Sequence, residues 1–183
     1  MRAYEVLQRY GHTQVDTEHL LLALIEQPEG VIPEILDQMG VDLEVINRRL
    51  DEELKRAPRT QIYGGGVGQV YITPRLKRVI DQSNEEASKL KDDYISTEHL
   101  FLAIAGERNT PSSRILSEMG VNRSRIQEAI KEARGGQKVT SPQAESRYRT
   151  LEKFSRDLTQ LTAPDMVVRL LPCSREKKRV FVV

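Results

Sequence analysis

The sequence predicts an all-α fold built as a pseudo-two-fold duplicated helical repeat. Two repeated motifs and the helical spacing of apolar residues carry this prediction. The motif TEHLLLAL at 17–24 returns as TEHLFLAI at 97–104, with six of eight positions identical. At the same spacing along the chain, ILDQMGVD at 35–42 returns as ILSEMGVN at 115–122, with five of eight positions identical. Because two separate blocks keep one register, the chain contains a duplicated unit.

Repeat one covers about 1–57 and begins inside the unit, because residues 3–10 supply only the end of an opening helix. Its second helix starts at Thr17, which we place at the N-cap because a hydroxyl can accept from the free N–H groups of the first turn. Apolar residues then recur at three- and four-residue spacings, as they do in a buried helix. Two further helices follow, at about 31–39 before Gly40 and at about 43–56 after the cap Asp42.

Repeat two covers about 73–134 and includes the start of the opening helix. This helix begins at Thr73-Pro74, a cap followed by a proline in the first turn, and runs to about 91. The signals of repeat one then return at Thr97, at Gly120, and at Asn122 before a last helix at about 123–134.

Four segments lie outside the repeat helices. Residues 59–72, RTQIYGGGVGQVYI, lack the Lys-Ser/Thr of a phosphate-binding loop and are interpreted as a flexible connector. Residues 135–147 are polar and rich in helix breakers, which predicts a linker. Residues 148–163 place apolar side chains on one face of a further helix. Residues 164–183 match no pattern, and we expect a disordered tail there.

Composition excludes several classes of function. The chain has 28 Lys+Arg against 27 Asp+Glu, whereas a nucleic-acid or anionic-membrane binder usually carries a clustered basic excess. No apolar run approaches the roughly 20 residues of a membrane helix, and the first residues contain no signal-peptide core. We therefore expect a cytoplasmic protein whose partners are neither nucleic acid nor membrane.

The repeated Thr-Glu-His triplet marks two candidate binding positions. We name them the first corner, at Thr17 and Glu18, and the second corner, at Thr97 and Glu98. A helix N-terminus attracts an anion, and a neighbouring carboxylate can hold a guanidinium through a forked pair. Each corner therefore suits a ligand that carries both charges. The alternative is that the two glutamates only complement their own helix dipoles, worth about 0.3–1 kcal/mol each.

The histidines of the triplets, His19 and His99, lack the companion ligands at short spacing that a zinc site needs. We interpret them as packing residues that hydrogen-bond through a ring nitrogen. The sequence contains no nucleophile elbow, phosphate-binding loop or paired-carboxylate motif. It therefore predicts a binding protein rather than an enzyme, with no cofactor and no metal. An unrecognised hydrolase is the rival from another class.

These residues resemble the Clp N-terminal domain of AAA+ unfoldases of the ClpC, ClpA and ClpB type. Both copies show TEHL(L/F)LA followed by a helix ending in MGV, and ITPR at 72–75 is similar to the start of the second repeat in ClpC-type members. The resemblance covers 1–134 and extends more weakly to 151–161, which is similar to the lead-in to the first ATPase module. The Walker motifs that would follow in the family are absent from the sequence. We therefore expect a ClpC-like chain cut off before the ATPase module, by truncation or a frame shift.

The resemblance implies a substrate- and adaptor-binding module of a Clp-type ATP-dependent chaperone or protease regulatory subunit. The ATPase ring and the peptidase would be reached only through a full-length parent. In ClpC-type members this domain also binds phosphorylated arginine, and the glutamate of each triplet holds the guanidinium. The matching residues are Glu18 and Glu98, with Thr17 and Thr97 at the adjoining helix ends. Because repeat one begins inside its unit, Glu98 is the stronger candidate. A stand-alone interaction protein that competes for Clp adaptors is the alternative.

Overall fold

The duplicated sequence folds as two sets of four helices. The computed structural model describes residues 2–28, 30–58, 70–135 and 138–140, together with the backbone at 156–157 and 181–182. The helices of repeat one are α1 (Arg2–Tyr10), α2 (Thr17–Ile25), α3 (Val31–Gln38) and α4 (Leu43–Arg56). Those of repeat two are α5 (Pro74–Leu90), α6 (Thr97–Gly106), α7 (Pro111–Glu118) and α8 (Arg123–Arg134). The predicted all-α fold is confirmed, and the four helices of each repeat correspond in the register that the motifs set.

The helix ends follow the predicted signals. Gly40 and Gly120 take φ of +70° and +72° directly after α3 and α7, a backbone conformation that glycine adopts without a steric cost. The Val41 N–H then donates to the Leu36 carbonyl at 3.0 Å, and Val121 does the same in repeat two, so both ends form the Schellman closure.

The core joins the two repeats rather than filling each separately. Helix α1 packs against α2 as α5 packs against α6, whereas α3 packs on α8 and α4 packs on α7 of the other repeat. Helices α2 and α6 also contact each other. The fully buried side chains come from both copies and include Leu21, Ile35, Leu36, Ile46, Leu50, Phe101, Leu102 and Ile104.

A short parallel pair ties the two repeats together near the first corner. Strand β1 (Gln14–Val15) pairs in register with β2 (Tyr71–Ile72), at the end of the predicted connector. The connector is therefore ordered at its last residues, because the backbone of Tyr71 and Thr73 donates to Thr13 and Val15. Residues 59–69 of that connector lie outside the described residues.

The predictions for the C-terminal part fall largely outside the described residues. The two residues described within the predicted helix 148–163 form strand β3 (Arg156–Asp157), which pairs antiparallel with β4 (Phe181–Val182). At these two residues the helix prediction is wrong, because the backbone groups bond to a partner strand of β-favouring residue types instead of to the next turn. The rest of 148–163, of the tail 164–183 and most of the linker 135–147 are not among the described residues. Within the described part of the chain, no helix combines the length and the apolarity that crossing a bilayer requires.

Candidate functional site

The residue before each triplet, not the threonine, caps its helix. Asp16 and Ser96 have extended backbone, and Thr17 and Thr97 are the first helical residues of α2 and α6. The carboxylate of Asp16 accepts from the backbone N–H of Thr17 at 2.8 Å. The predicted N-cap role of Thr17 and Thr97 is therefore wrong. The cap falls one residue earlier because Asp and Ser hydrogen-bond the first turn at least as well as Thr does.

The triplet histidines complete both caps from inside the helix. The Nδ1 of His19 accepts from the backbone N–H of Asp16 at 3.1 Å, and the Nδ1 of His99 accepts from that of Ser96 at 2.8 Å. Each ring must then carry its proton on Nε2. The Nε2 of His19 lies 2.8 Å from the Nδ1 of His12, and the Nε2 of His99 lies 2.9 Å from the Oδ2 of Asp92. We predicted packing histidines that hydrogen-bond through one ring nitrogen. In the structure, both ring nitrogens of each triplet histidine have a partner.

Both triplet histidines are held neutral at pH 7. Burial and the charge of the neighbouring His12 together lower the pKa of His19 to about 4. Burial also lowers the pKa of His99, but the hydrogen bond to Asp92 opposes this shift. Among the described residues, no group of three or more histidines, cysteines or carboxylates is arranged to hold a metal ion.

The second corner is closed by an arginine of the chain itself. Arg134, at the end of α8, directs Nε and Nη2 to the carboxylate of Glu98, at 3.2 and 2.7 Å, and Nη1 to Oδ2 of Asp92 at 2.6 Å. The side chains of Glu98 and Asp92 are fully buried, and that of Arg134 is 6% exposed. Burial raises the pKa of Asp92, but the backbone N–H of Val139 and the guanidinium of Arg134 hold it below its usual value. Glu98 therefore already has a guanidinium partner.

The first corner has the same carboxylate without such a partner. Glu18 is buried, and its Oε1 accepts from the hydroxyl of Thr17 at 3.1 Å. Among the described residues, no basic side chain forms an ion pair with it. Burial raises the pKa of Glu18, and the charge of Asp16 raises it further, partly opposed by the charge of Arg75. A carboxylate in these surroundings is stabilised by any cation that reaches it.

A cleft of about 520 Å³ opens beside the first corner. Asp16, Glu18 and His19 line it at the start of α2, and His12 lines it from the turn after α1. Leu54 and Arg56 line it from the end of α4. The side contributed by repeat two is lined by Arg75 of α5, by Thr73 at the N-cap of that helix, and by Pro111 of α7. The cleft therefore lies between the repeats.

Asp16 joins the two sides of this cleft. Its carboxylate accepts from the hydroxyl of Thr73 at 2.8 Å and forms an ion pair with Arg75. Thr17 makes a second link across the repeats, since its hydroxyl accepts from that of Ser112 at 3.2 Å. Both contacts fix the position of the first corner relative to repeat two.

The repeated motifs predict the carboxylates of the site but not their partners. Arg134 lies in the last turn of α8, beyond the repeated motifs, and the register of the motifs places Leu54 at the matching position of repeat one. The same register pairs His12 with Asp92. Comparing the two copies outside the motifs could have found both differences, because an arginine opposite a leucine signals a changed environment.

Comparison with known proteins decides the family. The sequence model of the Clp repeat (R) N-terminal domain matches residues 1–119. The chain belongs to the Clp N-terminal domain family. ClpB of Nitratidesulfovibrio vulgaris is 36% identical over 159 residues, and ClpB of Bacillus cereus is 35% identical over 181 residues. These alignments cover 86% and 99% of the chain but 18% and 21% of the relatives, so the chain spans about a fifth of their length.

The relatives also bear on two finer expectations. They are ClpB chaperones, so the narrower resemblance to ClpC-type members stays a prediction. The alignment with ClpB 1 of Nostoc, at 33% identity, covers the whole chain, including the segment 164–183 for which the sequence suggested no counterpart.

Solved structures agree on the fold. The Hsp104 N-terminal domain from Candida albicans superposes with a TM-score of 0.65 at 21% identity, covering 79% of this chain and 91% of that one. The N-terminal domain of the ClpV1 ATPase from E. coli gives a TM-score of 0.57 at 23% identity, covering 69% and 76%. The double repeat described above is thus the fold of Clp N-terminal domains.

Proposed function

We propose that this Clp N-terminal domain captures substrate and adaptor proteins reversibly through the cleft at the first corner, without catalysing bond cleavage itself. The ligand group that this corner suits best is a guanidinium, and an arginine phosphorylated on its guanidinium is the favoured class. The observation that carries the proposal is the carboxylate of Glu18, which is buried at the wall of an open cleft with only a hydroxyl as its side-chain hydrogen-bond partner among the described residues.

The other acidic groups of the cleft are already paired. Asp16 forms its ion pair with Arg75, and Glu53 forms ion pairs with Arg56 and Arg114. Glu18 is therefore the acidic group that a cationic ligand would engage. A desolvated carboxylate gains more from a forked, charge-assisted pair than an exposed one does, because water competes less for both partners.

The wall opposite Glu18 suits the anionic part of such a ligand. Arg75 lies in the first turn of α5, where the backbone dipole is positive, and its side chain is 41% exposed. Its guanidinium can therefore contact a phosphoryl group while the ligand's guanidinium contacts Glu18. The two charges of phosphoarginine would lie against opposite charges of the cleft.

The test is titration of the full chain with phosphoarginine, followed by calorimetry. Glu18→Gln should weaken binding by roughly 10- to 150-fold, the loss of one charge-assisted pair worth about 1.5–3 kcal/mol. Glu44→Gln is the matched control, because it makes the same chemical change on the exposed start of α4. Unchanged affinity in Glu18→Gln, or an equal loss in Glu44→Gln, would contradict the proposal.

A second variant separates the two ends of the ligand. Arg75→Met should reduce affinity for phosphoarginine without reducing affinity for unmodified arginine, because it removes the positive charge proposed to contact the phosphoryl group and leaves Asp16 without its ion-pair partner. Equal losses for both ligands would show that Arg75 does not read the phosphoryl group.

A further inference from the structure

Arg134 makes with Glu98 the kind of contact that an external guanidinium would make with Glu18. Its Nε and Nη2 form a forked pair with the carboxylate, and Nη1 bonds to the neighbouring Asp92. The guanidinium is 6% exposed and the carboxylate fully buried. The second corner therefore has the geometry of an occupied guanidinium site.

The matching position of repeat one carries no guanidinium. Leu54 corresponds to Arg134 in the register of the motifs, is 2% exposed, and lies in the wall of the cleft beside Glu18. Because the side chain at this position is aliphatic, it supplies no positive charge to the carboxylate of Glu18. Leucine in place of arginine at this position, outside the repeated motifs, therefore accounts for the missing guanidinium at the first corner.

We propose that Arg134 is a built-in guanidinium ligand of the second corner, so that this domain offers one open guanidinium site instead of two. The proposal rests on the proposed function only in naming the ligand of the first corner. Its structural half, that Arg134 fills a guanidinium site at Glu98, stands on the contacts of the second corner alone.

The chain after α8 holds this internal ligand in place. Gly135 ends the helix with φ of +56°, and the segment 138–140 then returns to the corner. The backbone N–H of Val139 donates to Oδ1 of Asp92 at 2.8 Å, and its carbonyl accepts from Asp93. Val139 is itself buried. These contacts place Asp92 against Arg134.

Chemical rescue tests the structural half. Arg134→Ala removes the atoms of ethylguanidinium from the second corner, so ethylguanidinium added to the full chain should raise the thermal midpoint of this variant and saturate. Ethylammonium carries the same charge without the fork and should give a smaller rise. The double variant Arg134→Ala, Glu98→Gln lacks the charged partner and should lose the rescue. In the wild-type chain Arg134 already occupies the second corner, so neither compound should raise the thermal midpoint by binding there.

The number of ligands bound per chain tests whether one guanidinium site is open instead of two. The wild-type chain should bind one ethylguanidinium or one phosphoarginine, and Glu18→Gln should lose this binding. The variant Arg134→Ala should bind two ethylguanidinium ions. If Arg134→Ala does not fold alone, refolding that requires ethylguanidinium counts as the rescue. Absence of rescue in Arg134→Ala, together with wild-type stability of Arg134→Lys, would overturn the proposal, and so would two sites in the wild type. Rescue without any wild-type binding of phosphoarginine would refute the proposed function and leave the internal ligand supported.

Discussion

The two corners share a motif, a helix start and a buried glutamate, yet their surroundings are opposite. At the second corner Arg134 and Asp92 enclose Glu98 in a closed ion network. At the first corner Glu18 faces a cleft whose far wall belongs to the other repeat. The residues that decide the difference lie outside the repeated triplet. Leu54 and His12 at the first corner correspond to Arg134 and Asp92 at the second. Identical motifs therefore provide the same carboxylate, and its neighbours decide whether it forms an ion pair within the described part of the chain.

Neutralising each glutamate should produce the largest contrast between the corners. Glu98→Gln leaves Arg134 with half of its buried partners, and we expect a loss of about 3 kcal/mol in the free energy of unfolding. Glu18→Gln relieves a buried carboxylate whose pKa is raised, so it should leave the free energy of unfolding unchanged or raise it at pH 7. Urea denaturation measures both. Equal losses in the two variants would show that the corners are energetically alike.

Acid should affect the first corner more than the second. The pKa of His19 is about 4 in the folded protein and about 6.5 in an unfolded chain, so the unfolded state binds more protons between these values. This contribution to stability is complete above pH 6.5, is lost as the pH falls toward 4, and amounts to something on the order of 3 kcal/mol.

The matched variants His19→Gln and His99→Gln isolate the two contributions. Glutamine at this helical position can still accept from the N-cap backbone, but it does not titrate. We expect His19→Gln to flatten the pH dependence of the unfolding free energy more than His99→Gln does, because Asp92 partly offsets the lowered pKa of His99. A larger flattening in His99→Gln would reverse the comparison.

Exchanging the residue beside His19 should change which ligand the first corner prefers. His12→Asp gives this corner the carboxylate that Asp92 gives the second corner. The added negative charge should strengthen binding of unmodified arginine and weaken that of phosphoarginine, each by about tenfold, or about 1.4 kcal/mol. Competition titrations measure the ratio of the two affinities. An unchanged ratio would show that position 12 does not face the phosphoryl group.

The smallest expected contrast lies at the ends of the opening helices. Gly11 and Lys91 occupy matching positions with φ of +68° and +57°. Lys91→Gly should raise the free energy of unfolding by about 0.5–1 kcal/mol, and Gly11→Ala should lower it by a similar amount, because only glycine adopts this φ without a steric cost. A Cβ at Gly11 would meet no atom within 4 Å, so the change isolates the backbone effect. Denaturant midpoints that move in the same direction in both variants would contradict it.

The fold could be predicted from sequence because its signals are local. Periodic apolar residues, the glycines at 40 and 120 and the caps Asp42 and Asn122 act within one turn, and the duplication doubled each signal. The site was only partly predictable, because its glutamates lie in the motif, whereas Arg134 and Arg75 come from other helices and Asp92 comes from the loop between α5 and α6. The N-cap was misplaced by one residue because Asp16-Thr17 and Ser96-Thr97 each offer two residues that can cap.

The geometry also changes which corner is favoured. From the sequence, Glu98 was the stronger candidate. The tertiary contacts favour Glu18 in our proposal, because the buried carboxylate of Glu98 already pairs with Arg134. The sequence could not show this, since Glu98 and Arg134 are 36 residues apart.

The packing of α3 and α4 against helices of the other repeat has a consequence for folding during synthesis. Contacts such as Arg49 with Glu118 and Arg125 with the carbonyl of Met39 join residues 69 and 86 positions apart. While repeat two is still in the ribosome, α3 and α4 lack the surfaces that cover them. During synthesis, the apolar side chains of α3 and α4 that pack on α8 and α7 therefore stay uncovered until repeat two has left the ribosome.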